Sequence, residues 1–419
     1  MSQRESSLDI VHVTSYQVPG YGYEELPLAL AQARLGHRVT ILTSCYLHPS
    51  GTYAVLGRRF QERKIRPTTE QHDGVSVVRL PSFEVPGRRV WIRGLESELV
   101  RRRPSIVHCH NLLQLHSVRV AFLRARRALA AGLVIDDHMH ESVVRRSPPG
   151  RAFYWTHRHL VQPWLARHVD SFCAIWDDTR RYLADRCGVR GDIEIRPLGV
   201  DARLFSPSAA RRAEWRARLG LAGDDLVFLY TGKVVAFKGV EALVSAALRV
   251  GVSHPHVHVV AVGDPDEEYV ASLRALVAAA GRQDHLHFLP SQSQEQLAGL
   301  FCAADVAVWP RQESRSIVEA LSCSLPVIVS AQSGYAGLVS GGLGQCFGPG
   351  DEDLDRAMLE LTSPESRADC GGRGRALVER ELSWDRCAEK YLSTYRAVLG
   401  RDVAGSAAAG PTRDESLPP

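Results

Sequence analysis

Lysine is all but missing from this chain. There are four, Lys64, Lys233, Lys238 and Lys390, against 47 arginines, so positive charge is written as arginine nearly everywhere. Cysteine offers no framework either. Nine thiols, an odd number with no CxxC pair, exclude a disulfide scaffold and fit a reducing compartment. No zinc-ligand spacing is present; His108, Cys109 and His110 fall on a strand-like run, where packing or a place in a cleft accounts for them. No apolar run approaches the roughly 18–20 residues of a membrane-spanning helix. The opening MSQRESSLDIVHV lacks the apolar stretch and small-residue cleavage site of a secretory leader. These absences predict a cytoplasmic protein. A complete GxGxxG with an acidic residue about 20 positions later is missing too, which removes a nicotinamide dehydrogenase. Asp136-Asp137 and Asp177-Asp178 are adjacent pairs, not a DxD placed for a metal.

What is present is ordinary for a globular protein: 45% hydrophobic and 23% charged residues over 419 positions. That length predicts two domains, each with its own core. The net charge of +4 hides an asymmetry. Residues 1–195 carry 28 basic and 19 acidic side chains, a balance of +9, and the remainder 23 and 28, a balance of −5. A basic front half predicts an acidic acceptor or an anionic membrane surface, while arginine-rich genome composition accounts for part of it.

Short apolar strands alternate with helical patterns through both halves. Strands are predicted at 8–15, 38–44, 75–80, 105–109, 133–136, 171–175 and 193–196, then at 226–230, 256–262, 286–289, 306–309 and 326–329. This rhythm predicts two parallel sheets covered on both faces. The predicted boundaries are 1–197, 198–383, a helix at 384–400 and a disordered tail at 401–419.

Two of the four lysines fall together in LVFLYTGKVVAFKGVEALVSA (226–246), where a strand, a tight turn at Gly232 and a helix after Gly239 follow one another. A compact point charge on a strand–loop–helix unit is a ready anion site. A second dense segment is VAVWPRQESRSIVEALSCSLPVIVS (306–330). Ser316 is placed to cap a helix, free amides at Ser316 and Ile317 to hold a phosphate, and Glu319 to accept two ribose hydroxyls. Glu313 would point from the loop. Upstream, Gly20 and Gly22 sit in a loop before a helix, and Asp136, Asp137, His138, His140 and Glu141 cluster at a strand end. His110 and Asn111 follow another strand.

Taken together, these segments resemble the retaining GT-B glycosyltransferases of the family 4 type over roughly residues 8–400. The donor loop is matched by Lys233 and Lys238-Gly239, and the paired-glutamate motif by Glu313, Glu319 and Pro326-Val327-Ile328. PLGVD (197–201) is similar to the inter-domain linker and VGDP (262–265), with Gly263, to a turn near the nucleotide. The family's motif has seven residues between its glutamates; here five separate Glu313 from Glu319. The resemblance implies two Rossmann-like domains facing across a central cleft, with a C-terminal helix returning to the N-terminal domain. It implies a nucleotide diphosphate sugar as donor and a glycan, lipid-linked or small-molecule acceptor. His138 would lie beside the transferred sugar, with His140 as its alternate. Gly22, Gly232, Gly263, Ser316, Ile317 and Glu319 would hold the donor. His110 and Asn111 would face the acceptor. Lys233 and Lys238 would take the place of a metal, so neither cofactor nor metal is expected, and no nucleic acid. The alternative is a non-catalytic nucleotide-sugar binder, or a phosphorylase- or epimerase-like enzyme of the same fold.

Overall fold

The computed structural model describes residues 7–18, 25–47, 63–87, 89–139, 141, 144, 147–311 and 314–408, with side chains undescribed at 351 and 401–408. Contacts divide it into two compact units: one runs to residue 47, through 63–197, and resumes at Cys387; the other is Leu198–Arg386.

Among the described residues the first unit has ten strands. Eight form a sheet: β1 (Asp9–Thr14), β2 (Arg38–Ser44), β3 (Thr68–His72), β4 (Val75–Leu80), β7 (Ile106–His110), β8 (Gly132–Asp137), β9 (Ser171–Ala174) and β10 (Ile193–Ile195). Their order is β10-β9-β8-β7-β1-β2-β4-β3, with only β3 antiparallel to its neighbour. The other two, β5 (Ser82–Val85) and β6 (Arg89–Ile92), make a hairpin. Among the described residues the second unit holds six strands, all parallel: β11 (Leu226–Thr231), β12 (Val257–Val262), β13 (Leu286–Leu289), β14 (Val306–Trp309), β15 (Val327–Ser330) and β16 (Gly344–Phe347). Their order is β13-β12-β11-β14-β15-β16. The parallel sheets follow from the sequence: strands covered on both faces read as unbroken apolar runs, as in VHVVAV, where every residue is buried.

Successive side chains on a strand face opposite sides. In β1, β7 and β8 the odd positions, Val11, Val13, Val107, Cys109, Leu133 and Ile135, enter one apolar core. The even positions include His12, His108, His110 and Asp136, all buried. This polar face is covered by Gln32 of the helix Glu25–Arg34 and by Tyr391 and Tyr395 of the last helix.

Three differences from the sequence reading stand out. The polar edge strand β3 and the hairpin β5–β6 were not expected, and Ile92 ends a strand, with the next helix starting at Leu95. The last helix runs from Trp384 to Ala408. The first part of the expected disordered tail, RDVAGSAA, is therefore helical, as its alanines allow.

Candidate active site

In the second unit the adjacent strands β12, β11 and β14 end side by side, and their loops carry most of the predicted donor residues. The chain leaves β11 at Thr231 and turns at Gly232, whose φ is +143°. Gly263, after β12, has φ +150°, and a Cβ there would run into the Gly232 carbonyl. Glycine at 263 thus lets two loops pass backbone to backbone. The amide of Val234 donates to the Asp264 carbonyl, and that of Asp266 to the Val234 carbonyl, both at 2.9 Å. The buried Tyr230 hydroxyl donates to the Lys233 carbonyl at 2.9 Å.

This bracing holds the lysines on a rigid loop. Lys233 is exposed, with no ion pair among the described residues. Lys238 is half-buried and closes a short 3₁₀ turn, Ala236–Lys238, before Gly239 at φ +75° opens the helix Val240–Val250. Its ammonium lies 5.8 Å from the Phe237 ring centroid.

After β14 comes a residue the sequence reading passed over. Arg311 donates to the Ala236 carbonyl at 3.3 Å and pairs with Glu241 at 2.9 Å. It lies over Gly239, where an added Cβ would come within 2.7 Å of its side chain. Seven residues separate Arg311 from Glu319, so a guanidinium stands where the family spacing places its first glutamate. Arg311 also borders a cleft of about 470 Å³ whose walls include Glu241, Arg249, Ser330 and Gln332, on the β15–β16 flank of the lysine loop.

Glu319 lies in the helix Ser316–Ser322 and is 6% exposed. Burial pushes its carboxyl up from the usual range, against the opposing pull of Arg315 at 3.7 Å. Its Oε2 is buried with no hydrogen-bond partner among the described residues. An acceptor buried this way costs stability unless something donates to it. Ser316 is not the helix cap: that position is Arg315, and no side chain caps it. The Ser316 amide donates to Ser314 Oγ at 3.3 Å, and the Ile317 amide to the Ser314 carbonyl at 3.1 Å. The amides expected to be free are engaged by the turn itself. Glu313 lies outside the described residues.

In the first unit, Asp136 on β8 is the hub of a buried network. Its carboxylate lies 3.0 Å from His110 Nδ1, 3.1 Å from His108 Nε2 and 3.4 Å from His138 Nε2, and accepts from Tyr391 at 3.2 Å. The contacts close into a ring. His110 Nε2 meets His12 Nδ1 at 2.9 Å, and His12 Nε2 meets Gln32 Oε1 at 2.8 Å. Gln32 donates to the Tyr395 hydroxyl at 3.3 Å, which meets His108 Nδ1 at 2.7 Å. Burial alone would raise Asp136, but the histidines around it hold it well below the usual carboxylate range. Burial opposes the charge on His110, and Asp136 overcomes it, so His110 is raised. Burial takes His108 down to about 4 and His12 well below its ordinary value. These shifts favour an Asp136 anion paired with a His110 cation, beside neutral His12 and His108. These imidazoles and the carboxylate have metal-ligand chemistry, with ligand atoms within 4.8 Å of one another; each is already engaged by the others.

His138, just past the end of β8, remains partly exposed and is the member of this network open to a ligand. His110 is fully buried, so it is not an acceptor contact; it holds Asp136 instead. Asn111, half-buried, adopts φ +73°, a left-handed conformation that asparagine tolerates, and its amide donates to the Asp136 carbonyl at 2.9 Å. Asp137 is structural, accepting from the amides of Leu112 and Met139, both at 2.8 Å. Gly22 and His140 lie outside the described residues.

A doubly wound parallel sheet with paired lysines and a buried carboxylate at its strand ends belongs to the class of GT-B glycosyltransferases. Solved structures of that class share the fold. HepE of Anabaena, in complex with UDP and glucose, gives a TM-score of 0.65 at 18% identity, covering 93% of this chain and all of that one. Sucrose-phosphate synthase of Thermosynechococcus elongatus gives 0.66 at 21%, covering 94% and 99%. Glycosyltransferase Family 4 matches residues 25–204, and Glycosyl transferases group 1 matches 211–377. A D-inositol 3-phosphate glycosyltransferase of Geodermatophilus obscurus is 30% identical over 351 residues, 78% of this chain and 70% of that protein. One from Mycobacterium leprae is 30% identical over 309 residues, covering 70% and 69%. The chain belongs to this glycosyltransferase family and is a glycosyltransferase.

Proposed function

We propose that the enzyme moves a hexose-type sugar from a nucleotide diphosphate sugar to a hydroxyl of an anionic acceptor, with retention and without a metal ion. The acceptor class is a glycan, a lipid-linked molecule or a small molecule. The +9 balance of residues 1–195 supports its negative charge, as does the phosphorylated inositol in the relatives' names. Lys238 and Lys233 stabilise the departing diphosphate, Glu319 accepts the ribose hydroxyls, and Glu313 and His138 orient the hexose. The acceptor oxygen bonds to the anomeric carbon on the face the diphosphate leaves. The bond from that carbon to the phosphate oxygen breaks, and the hydroxyl proton passes to the departing phosphate.

The observation carrying this reading is the buried Oε2 of Glu319, which has no hydrogen-bond partner among the described residues. Glu319→Gln is expected to weaken binding of the bare nucleoside diphosphate roughly tenfold or more, because a neutral amide loses a charge-assisted acceptor. Glu313→Gln leaves that affinity unchanged, since a group on the hexose touches nothing in a ligand that lacks one. Calorimetry with the diphosphate separates the two. Equal losses in both variants, or none at Glu319, overturn the assignment.

A further inference from the structure

Residues 142–169 contain five arginines, three histidines and no acidic residue. Within it the helix Pro148–Thr156 continues through a wide π turn, His157–Val161, into Gln162–Leu165. One side is fastened down: Leu165 is part of the apolar core of the first unit, and Tyr154, Val161 and Trp164 pack against that core. The other side presents Trp155, 59% exposed, and Leu160, 63% exposed. Exposed arginines flank them at Arg151, Arg158 and Arg167. Arg158 donates to the carbonyls of Ala184 and Asp185 and pairs with no carboxylate among the described residues. Among the described residues no carboxylate pairs with Arg151 or Arg167.

An exposed tryptophan and leucine on an acid-free, arginine-flanked helix suit one kind of surface. A water-soluble protein partner would need its own acidic, apolar patch in register, whereas an anionic bilayer supplies both anywhere on its surface. Indole rings favour the headgroup boundary, and arginines reach the phosphates beside it. We propose that residues 148–168 form a docking face for an anionic lipid membrane, with Trp155 and Leu160 entering the headgroup–acyl boundary. The segment follows the His138 strand end after only nine residues, 139–147, so docking would bring a lipid-borne acceptor hydroxyl toward that end of β8. This last step rests on the glycosyl-transfer reading; the docking itself does not.

The test is flotation of the full chain with phosphatidylcholine vesicles, with and without phosphatidylglycerol, at low and high salt. Binding is expected only to the anionic vesicles, falling as salt rises. Trp155→Ser combined with Leu160→Ser should lower the bound fraction roughly tenfold while leaving the thermal unfolding midpoint unchanged. Val252→Ser, which removes an exposed side chain of the second unit, should leave flotation intact. Equal flotation of the double variant and the parent overturns the proposal, as does no binding at low salt. A self-association that the double variant abolishes, without vesicle binding, would give the face to a second copy instead. None of these readouts requires turnover, so a negative result leaves the sugar-transfer reading standing.

Discussion

Lys238→Ala is expected to lower turnover by about 10²–10³ while changing donor KM much less. Its charge matters most when the bond to the sugar breaks and the diphosphate gathers negative charge. The loop is built for that moment. Lys238 sits in a short 3₁₀ turn closed by its own amide on the Val235 carbonyl. The loop leading to it is fixed at Lys233 and Val234 by the Tyr230 hydroxyl and the backbone bonds to Asp264 and Asp266, which limits the reorganisation needed as charge develops. Lys233→Ala should cost less, since its side chain is exposed to water and screened. Lys238→Arg should restore only part of the loss, because a planar fork cannot occupy the place of a compact ammonium. Single-turnover measurements check this; a Lys238→Ala enzyme turning over near the wild-type rate removes that lysine from the mechanism.

The second large effect is expected on stability. Asp136→Asn removes the counter-ion that keeps His110 charged, so that the folded chain must give up the proton or bury it uncompensated, and should destabilise the first unit by about 3–5 kcal/mol. The pH dependence gives the variant a signature. In the wild type His110 is raised above its unfolded value, so its contribution is complete below about pH 6.5 and fades as pH rises through the folded value. Asp136 is depressed, so its contribution holds above about pH 4 and fades only as pH falls through the folded value. Without Asp136, burial takes His110 below 6.5, and the unfolded state then binds a proton that the folded state refuses. The gap in unfolding midpoint between wild type and variant should widen as pH drops from 8 to 5.5. A gap that stays constant or narrows over that range would mean that the pair is not charged in the folded protein.

The fold was legible wherever burial dictates the residue. Parallel strands covered on both faces cannot avoid continuous apolar runs, and so β11, β12 and β14 could be placed closely from sequence. The polar TTEQH of β3 carries no such mark, because an edge strand needs only one covered face. Glu319 was readable from its place in the first turn of a helix after a strand. The ring around Asp136 was not. Its partners Tyr391 and Tyr395 are 255 residues from Asp136 and 287 from His108, and nothing local announces what covers a strand face. A signal did exist in the alternation of His108 and His110 within an otherwise apolar strand, which marks a polar face inside the fold. Arg311 was not legible because a guanidinium stands where the motif's spacing calls for a carboxylate, and an acidic residue, Glu313, lies two positions on.

The most direct measurement of the account is a donor panel. UDP-, GDP-, ADP- and TDP-sugars are each incubated with the enzyme in excess EDTA, and the unfolding midpoint and the release of nucleoside diphosphate on adding acceptor are followed. At least one donor is expected to stabilise the protein, by about 2.7 kcal/mol at a hundredfold excess over its Kd, and to be turned over with the chelator present. Activity lost in EDTA and restored by Mg²⁺ would contradict the assignment of the metal's role to the lysines. No stabilisation by any sugar nucleotide would contradict the donor site itself.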